Sequence, residues 1–345
     1  MQEQAAVTYV MPVLNEADHL EEAVRAILDQ RYSGASELVL ALGPSTDDTD
    51  AVADRLAAED ARVRLVRVPE ANIPLGLNLA IAAARHDVIV RVDAHSTLPP
   101  DYTATMVAAL ERTSAAVVGG LMDAQGKTPF GEAVARAYKS PFGLGGGAHH
   151  DSDVEGPAES AYLGVFRRGV LEEFGGYDET LRRCEDWELA SRLRTSGRLV
   201  WLVPSVKVVY YPRETVDKLW SQMFATGVWR GELVRRQGTT PLRYLAPPIL
   251  VCALALSPVA ALGLARRPAG VVRAGLACVA SAPVVYAVGL AAASSRLGGA
   301  SWGDHARNVV AMAVTHVSWG AGFVRGFVRG AEGILDRSRV TQPSR

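Results

Sequence analysis

The chain has 345 residues, more than one compact domain usually needs. Its 36 Lys and Arg nearly balance 37 Asp and Glu, a formal net charge of -1, and no long basic run points to nucleic acid. Three cysteines (Cys184, Cys252 and Cys278) are too few and too scattered for a disulfide framework or a zinc site, and they fit a reducing compartment.

The opening "MQEQAA" has no basic start, and the apolar run behind it is broken by Pro12 and ends at Asn15-Glu16, so no signal peptide is expected. That run, "AVTYVMPVLNE", predicts a strand leading into a loop. Residues 18–30 follow with helical spacing at Leu20, Ala23, Val24, Ile27 and Leu28. "SELVLAL" predicts a second strand, and in "GPSTDDTD" Ser45 and Asp48 are spaced as a capping box for a helix through Leu56. "RVRLVRV" predicts a third strand, "NIPLGLNLAIAAA" a turn and helix, "DVIVRV" a fourth strand, and "DYTATMVAALER" another helix. Strands separated by single helices imply an α/β fold with a mostly parallel sheet covered on both faces.

Ligands on such sheets bind at the carboxyl ends of the strands. Asp93 and His95 fall at one such end, with Pro12 to Glu16 and Gly43 to Ser45 at two others. Side chains two apart in extended chain point the same way, and an Asp and a His on one side suit a divalent cation carrying a phosphate ligand. A polar strand end that merely contains these two residues is the plain alternative. A second acidic site, Glu185-Asp186, precedes a helix bearing Leu189 and Leu193 on one face. Two acids at a helix start also serve simply as complements to its dipole.

Composition changes near residue 244. Tyr244 to Ala265, Ala274 to Ser295 and Asn308 to Val324 carry no charge. The first two approach the roughly 20 residues needed to cross a bilayer, and uncharged faces all round predict membrane association. Pro247, Pro248 and Pro258 favour a first segment that is re-entrant or interfacial, with the second and third forming a hairpin. That arrangement keeps Arg266, Arg267 and Arg273, together with Arg325, Arg329, Arg337 and Arg339, on the inner side. Trp220, Trp229, Tyr244 and "WRGELVRRQ" are expected near anionic headgroups, a plain linker helix being the alternative.

The pieces "VMPVLNEADHLEEAV", "GPSTDDT", "GLNLAI", "VIVRVDAHS", "VVGG", "SPFGLGGG", "YLGVFRRGVLEEFGGYDETLRRCEDWELASRLR" and "VVYYPR", in that order over roughly residues 5–215, resemble family 2 glycosyltransferases of the GT-A fold. The likeness is nearest to the succinoglycan-biosynthesis type of glucosyltransferase. The resemblance implies transfer of a sugar from a nucleotide-diphosphate donor, usually with Mg2+ or Mn2+ and with inversion at the anomeric carbon. It implies that Asp93 opens the metal motif and that His95 stands where a second Asp is common. It makes Asp186, paired with Glu185, the general base; an ionised carboxylate can take a hydroxyl proton at neutral pH. Pro12, Asn15, Glu16, Ser45, Asn78 and Asp93 would line the nucleotide sugar, and Trp187, Gly145 and Gly146 the acceptor side and a lid. A disordered connection is the other reading of the glycine-rich stretch, and His149 and His150 there are weak metal candidates. The literal Asp151-Ser152-Asp153 has no strand before it and reads as a solvated loop.

Two departures stand out. Leu42 and Gly43 occupy positions where relatives have a carboxylate pair touching the nucleotide, which leaves the donor's base open. Gln222, Trp229 and Arg230 only loosely match the Gln-x-x-Arg-Trp motif of processive relatives, which favours single-sugar addition. The expected organisation is a catalytic domain at 1–215, an amphipathic interfacial linker at 216–243, two to three membrane helices at 244–330 and a cytoplasmic tail at 331–345. With no signal peptide the catalytic domain should face the cytoplasm at the plasma membrane, acting on a lipid-linked (polyprenyl) saccharide and not on nucleic acid. A nucleotidyltransferase would need a glycine- and Lys/Arg-rich loop where "PVLNE" stands; a non-catalytic scaffold keeping the fold is the rival that Leu42 prompts.

Overall fold

The structure is a computed structural model that describes residues 4–144 and 154–334. In chain order it begins β1 (Val7–Val13), α1 (Leu20–Leu28), β2 (Ser36–Leu42), α2 (Thr49–Glu59), β3 (Val63–Arg67), α3 (Ile73–Ala83) and β4 (Val88–Arg91). It continues with α4 (Tyr102–Thr113), β5 (Val117–Ala124), α5 (Pro129–Tyr138), β6 (Gly156–Pro157), β7 (Tyr162–Arg167), α6 (Arg168–Glu173), α7 (Glu185–Thr195) and β8 (Val200–Tyr210). Four long helices follow among the described residues: α8 (Val216–Gln237), α9 (Ala246–Ala265), α10 (Gly270–Arg296) and α11 (Trp302–Arg329). Two compact units result, Met1–Asp123 with Gly147–Tyr210, and Ala124–Gly146 with Tyr211–Arg345. Helix α5, from within the span expected to be one catalytic domain, belongs to the second unit.

The first unit is built on an eight-stranded sheet in the order β3-β2-β1-β4-β7-β5-β8-β6. β3, β2, β1 and β4 run parallel, while β7 is antiparallel to both β4 and β5. Strand alternation sorts the apolar residues into two cores, one on each face. Val7, Tyr9, Met11 and Val13 of β1 join Leu38, Leu40 and Leu42 of β2 and Val88 and Val90 of β4 against α1 and α4. Val10, Val39, Ala41 and Ile89 face the other way, onto α3 and α7. The helices-on-both-faces expectation holds, as do the four strands and four helices read from periodicity. Ser45 and Asp48 do not form a capping box: Asp48 is the N-cap without a side-chain bond, and Asp47 instead accepts from the Thr49 amide and hydroxyl.

In the second unit α8 and α11 lie against each other, and α11 also packs on α5 and α9. Glycines set how close α8 and α11 come. A Cβ at Gly227 would stand 2.0 Å from the Trp319 carbonyl oxygen, one at Gly231 2.2 Å from that of Phe323, and one at Gly326 1.9 Å from that of Val228. Gly227-x-x-x-Gly231 and Gly322-x-x-x-Gly326 thus let two helix backbones touch. Trp229 and Arg230, expected beside lipid headgroups, are instead buried on α8, whereas Trp220 is exposed. Residues 246–265 form one continuous helix in spite of Pro258. Among the described residues, two helical stretches, Leu242–Ala265 and Gly270–Arg296, are long and apolar enough to cross a membrane.

Candidate active site

The carboxyl ends of β1, β2 and β4 come together at one edge of the sheet, because β1 pairs in register with both neighbours. Asn15 sits with φ 54°, in the left-handed region that Asn tolerates. Its amide donates to Ser45 Oγ at 3.0 Å, and its side-chain oxygen accepts from the Thr46 amide at 2.8 Å. The Glu16 amide donates to Thr49 Oγ1 at 2.8 Å, and Asp47 accepts from the Ala17 amide at 3.3 Å. Burial would raise the Asp47 carboxyl, but the Thr49 and Ala17 donors outweigh it and hold it below the usual carboxylate range. The loops after β1 and β2 are therefore latched together, with Asn15, Glu16 and Ser45 in the latch. Pro12 sits one layer down, inside β1 opposite Ala41.

At the end of β4, His95 Nδ1 lies 3.1 Å from Glu16 Oε1. That contact orients the imidazole. Arg91 has the same strand parity as Ile89, so its side chain points to the α7 face and meets the start of that helix. One guanidinium then gathers three acids: Nη2 is 2.9 Å from Glu185 and 3.6 Å from Asp93, and Nη1 is 3.5 Å from Asp186. Burial works against a charged Arg91, yet the three carboxylates overcome it and keep the guanidinium protonated. Glu185 is pushed above the usual carboxylate range by burial and by the Asp186 charge, against the pull of Arg91.

The two acids of the pair have different surroundings. The Glu185 side chain is 9% exposed and turned in onto Arg91, while that of Asp186 is 39% exposed. Cys184 precedes them with φ 64°, a strained conformation for a residue with a Cβ. Behind Arg91, the ring of the buried Tyr177 lies 5.8 Å from its guanidinium carbon. Asn78, expected to touch the nucleotide sugar, holds this loop: its oxygen accepts from the Tyr177 amide, and its amide donates to the Tyr177 carbonyl and to Glu179. Arg192, gripped by Glu188, donates to the carbonyls of Phe174 and Gly176 and closes the loop against α7. Trp187 is 8% exposed, a packed residue. Leu42 is buried in the core at 1% exposure, so its side chain does not reach the rim. Gly145, Gly146, His149, His150, Asp151 and Asp153 lie outside the described residues.

Residues 8–175 match the family described as glycosyl transferase family 2. The chain is 33% identical to the succinoglycan biosynthesis protein ExoA of Rhizobium meliloti (strain 1021) over 320 residues, 92% of this chain and 93% of that protein. The chain belongs to the family 2 glycosyltransferases. Its fold is similar to that of the mannosyltransferase PcManGT from Pyrobaculum calidifontis, solved in complex with GDP-Man and Mn2+, at a TM-score of 0.59 and 20% identity over 94% of this chain and 88% of that one. The sheet, its two helical layers and the rim at β1, β2 and β4 are the GT-A arrangement, as the resemblance implied.

Among the described residues of this glycosyltransferase, no group of three His, Cys, Asp or Glu could hold a metal ion on its own. A Mg2+ or Mn2+ site often takes one or two protein ligands and completes its shell with substrate phosphates. Asp93 and His95, the latter with its ring steadied by Glu16, are the residues at this rim that would hold such an ion; a turn at residues 94–95, closed by the Ser96 amide on the Asp93 carbonyl at 3.0 Å, replaces the extended spacing expected for them. Reading the sequence missed Arg91, Asp47 and Tyr177. A signal existed for the first: "VIVRV" puts an arginine at an inward position of an apolar strand, where a charge needs partners.

Proposed function

We propose that this glycosyltransferase is membrane-associated and moves a single sugar, with inversion, from a nucleotide-diphosphate donor to a lipid-linked glycan or polysaccharide precursor. The observation that carries the reading is the shared guanidinium of Arg91, with Asp93 at 3.6 Å and Asp186 at 3.5 Å, because it brings the donor-side and acceptor-side acids to one place. Asp93 and His95 would hold the cation, which neutralises charge developing on the departing diphosphate. Asn15, Glu16 and Ser45 form the wall where the nucleotide is received, and the absence of a carboxylate at Leu42 and Gly43 leaves the base to backbone groups and Glu16. The acceptor hydroxyl oxygen attacks the anomeric carbon as the bond to the diphosphate breaks, and Asp186 takes the hydroxyl proton.

The ExoA relative, named for succinoglycan biosynthesis, supports a polysaccharide product, and the GDP-Man and Mn2+ bound by the structural neighbour support the donor and cation classes. Helices α9 and α10, apolar and largely exposed, support a membrane-bound acceptor. The testing experiment is a transfer and hydrolysis screen over UDP, GDP and dTDP sugars with Mn2+, followed by Asp186→Asn with the donor found. The variant is expected to lose about 10²–10⁴-fold in transfer while its donor dissociation constant stays within about twofold. Full turnover by Asp186→Asn, or neither transfer nor hydrolysis of any donor by the natural chain, refutes the reading.

A further inference from the structure

Arg91 serves neither the cation nor the proton transfer directly, yet it touches the residues assigned to both. It is 8% exposed, and its guanidinium is anchored by a hydrogen bond of 2.9 Å to Glu185. Its approaches to Asp93 and Asp186, at 3.6 and 3.5 Å, are longer. Glu185 is thus the anchoring partner, and the charge of the same guanidinium reaches Asp93 and Asp186 at longer range. Asp186 Oδ1 also accepts from the Trp187 amide at 3.0 Å. The position is also built. The strand parity of β4 aims Arg91 at α7, the Tyr177 ring lies beside the guanidinium, and Asn78 and Arg192 fix the Tyr177 loop.

We infer that Arg91 is a positioning residue which, anchored by Glu185, holds Asp93 and Asp186 on the two sides of the reacting centre and competes with the divalent cation for Asp93. The inference rests on the reading of Asp93 as a cation ligand and Asp186 as the base. It has a consequence that a purely structural role lacks. Without the guanidinium, Asp93 loses a competing positive charge and binds a metal ion more tightly, while Asp186 loses its orientation and transfer slows.

The experiment measures binding of Mn2+ alone, by electron paramagnetic resonance of the free ion, to the full chain in detergent, beside turnover with the donor from the screen. Arg91→Met is expected to bind Mn2+ about fivefold more tightly and to lose about 100-fold in kcat. Arg91→Lys, which restores the charge without the fork, should return Mn2+ affinity to near the natural value and recover part of kcat. If Arg91→Met folds poorly, the double substitution R91M/E185M removes the ion pair as a unit and is expected to show a smaller gain in Mn2+ affinity in the same direction, since a negative charge is lost with the positive one. Mn2+ affinity unchanged or weakened in these variants, while Asp93→Ala weakens it, overturns the role of Arg91 alone. Mn2+ affinity unchanged in Asp93→Ala overturns the metal reading and takes this inference with it.

Discussion

Adjacent residues of like charge can be put to different uses by burial alone. Glu185 and Asp186 are neighbours in sequence, but one is folded in against a guanidinium and the other opens to solvent, the exposure that the proposed base role of Asp186 requires. A second buried acid, Glu37 on β2, is purely structural. It is 5% exposed and accepts from Thr8 Oγ1 at 2.8 Å, the Arg85 amide at 2.6 Å and Arg64 Nη1 at 3.1 Å. Burial would raise its carboxyl, but these donors together outweigh it and hold it below the usual range. Its depressed value means that the ionised form stabilises the fold: the contribution is fully present above the unfolded value near pH 4.3 and fades as pH falls through the lower folded value. Glu37→Gln should therefore cost about 2 kcal/mol at pH 7, and the deficit should shrink below about pH 4, read from chemical denaturation at several pH values.

At the scale of elements, the contact between α8 and α11 is made by absence of side chain. Where Gly227, Gly231, Gly322 and Gly326 meet the opposite helix, a methyl group would fall within 2.2 Å of a backbone carbonyl oxygen, and a carbonyl cannot rotate away as a side chain can. Gly227→Ala or Gly326→Ala is expected to destabilise by about 1–3 kcal/mol, seen as a lowered melting temperature in detergent. Gly275→Ala on α10 is the control, since nothing lies within 4 Å of its Cβ position. An alanine there should be neutral or slightly stabilising. The residues that loosely matched a processive-enzyme motif, Trp229 and Arg230, are interior residues of α8, and Arg230 lies over the Tyr244 ring at 4.1 Å.

For the whole molecule, continuity of the helices bears on how the chain meets a bilayer. α9 has 20 residues, about 30 Å of helix, and α10 has 27, each enough for the hydrocarbon thickness. α11 is committed elsewhere: Asn308, Thr315 and Ser318 are buried on it, and its glycines meet α8. This favours α9 and α10 as the hairpin in the bilayer, in place of the pair formed by the second and third apolar segments. Arg266, Arg267 and Arg273 would then lie at the outer end, outweighed by Arg235, Arg236, Arg243, Arg296, Arg307, Arg325 and Arg329 on the inner side. A reporter fused at Gly298 is expected to be cytoplasmic, and the chain to stay with membranes through a carbonate wash. A periplasmic reporter would restore the earlier pairing.

Local pattern was enough for the strands and helices up to residue 113 and for a sheet covered on both faces, because alternation and strand ends are properties of consecutive residues. The strands at 117–124, 162–167 and 200–210 were not read from periodicity; glycines and register shifts blur the first two, and their pairing joins distant segments. Which of Glu185 and Asp186 faces solvent, that Asn78 braces a loop, and that Arg91 stands among three acids depended on residues some 90 to 100 positions apart meeting. Burial and the reach of a guanidinium are set by the packing of β4 against α7, and only the folded chain defines that packing.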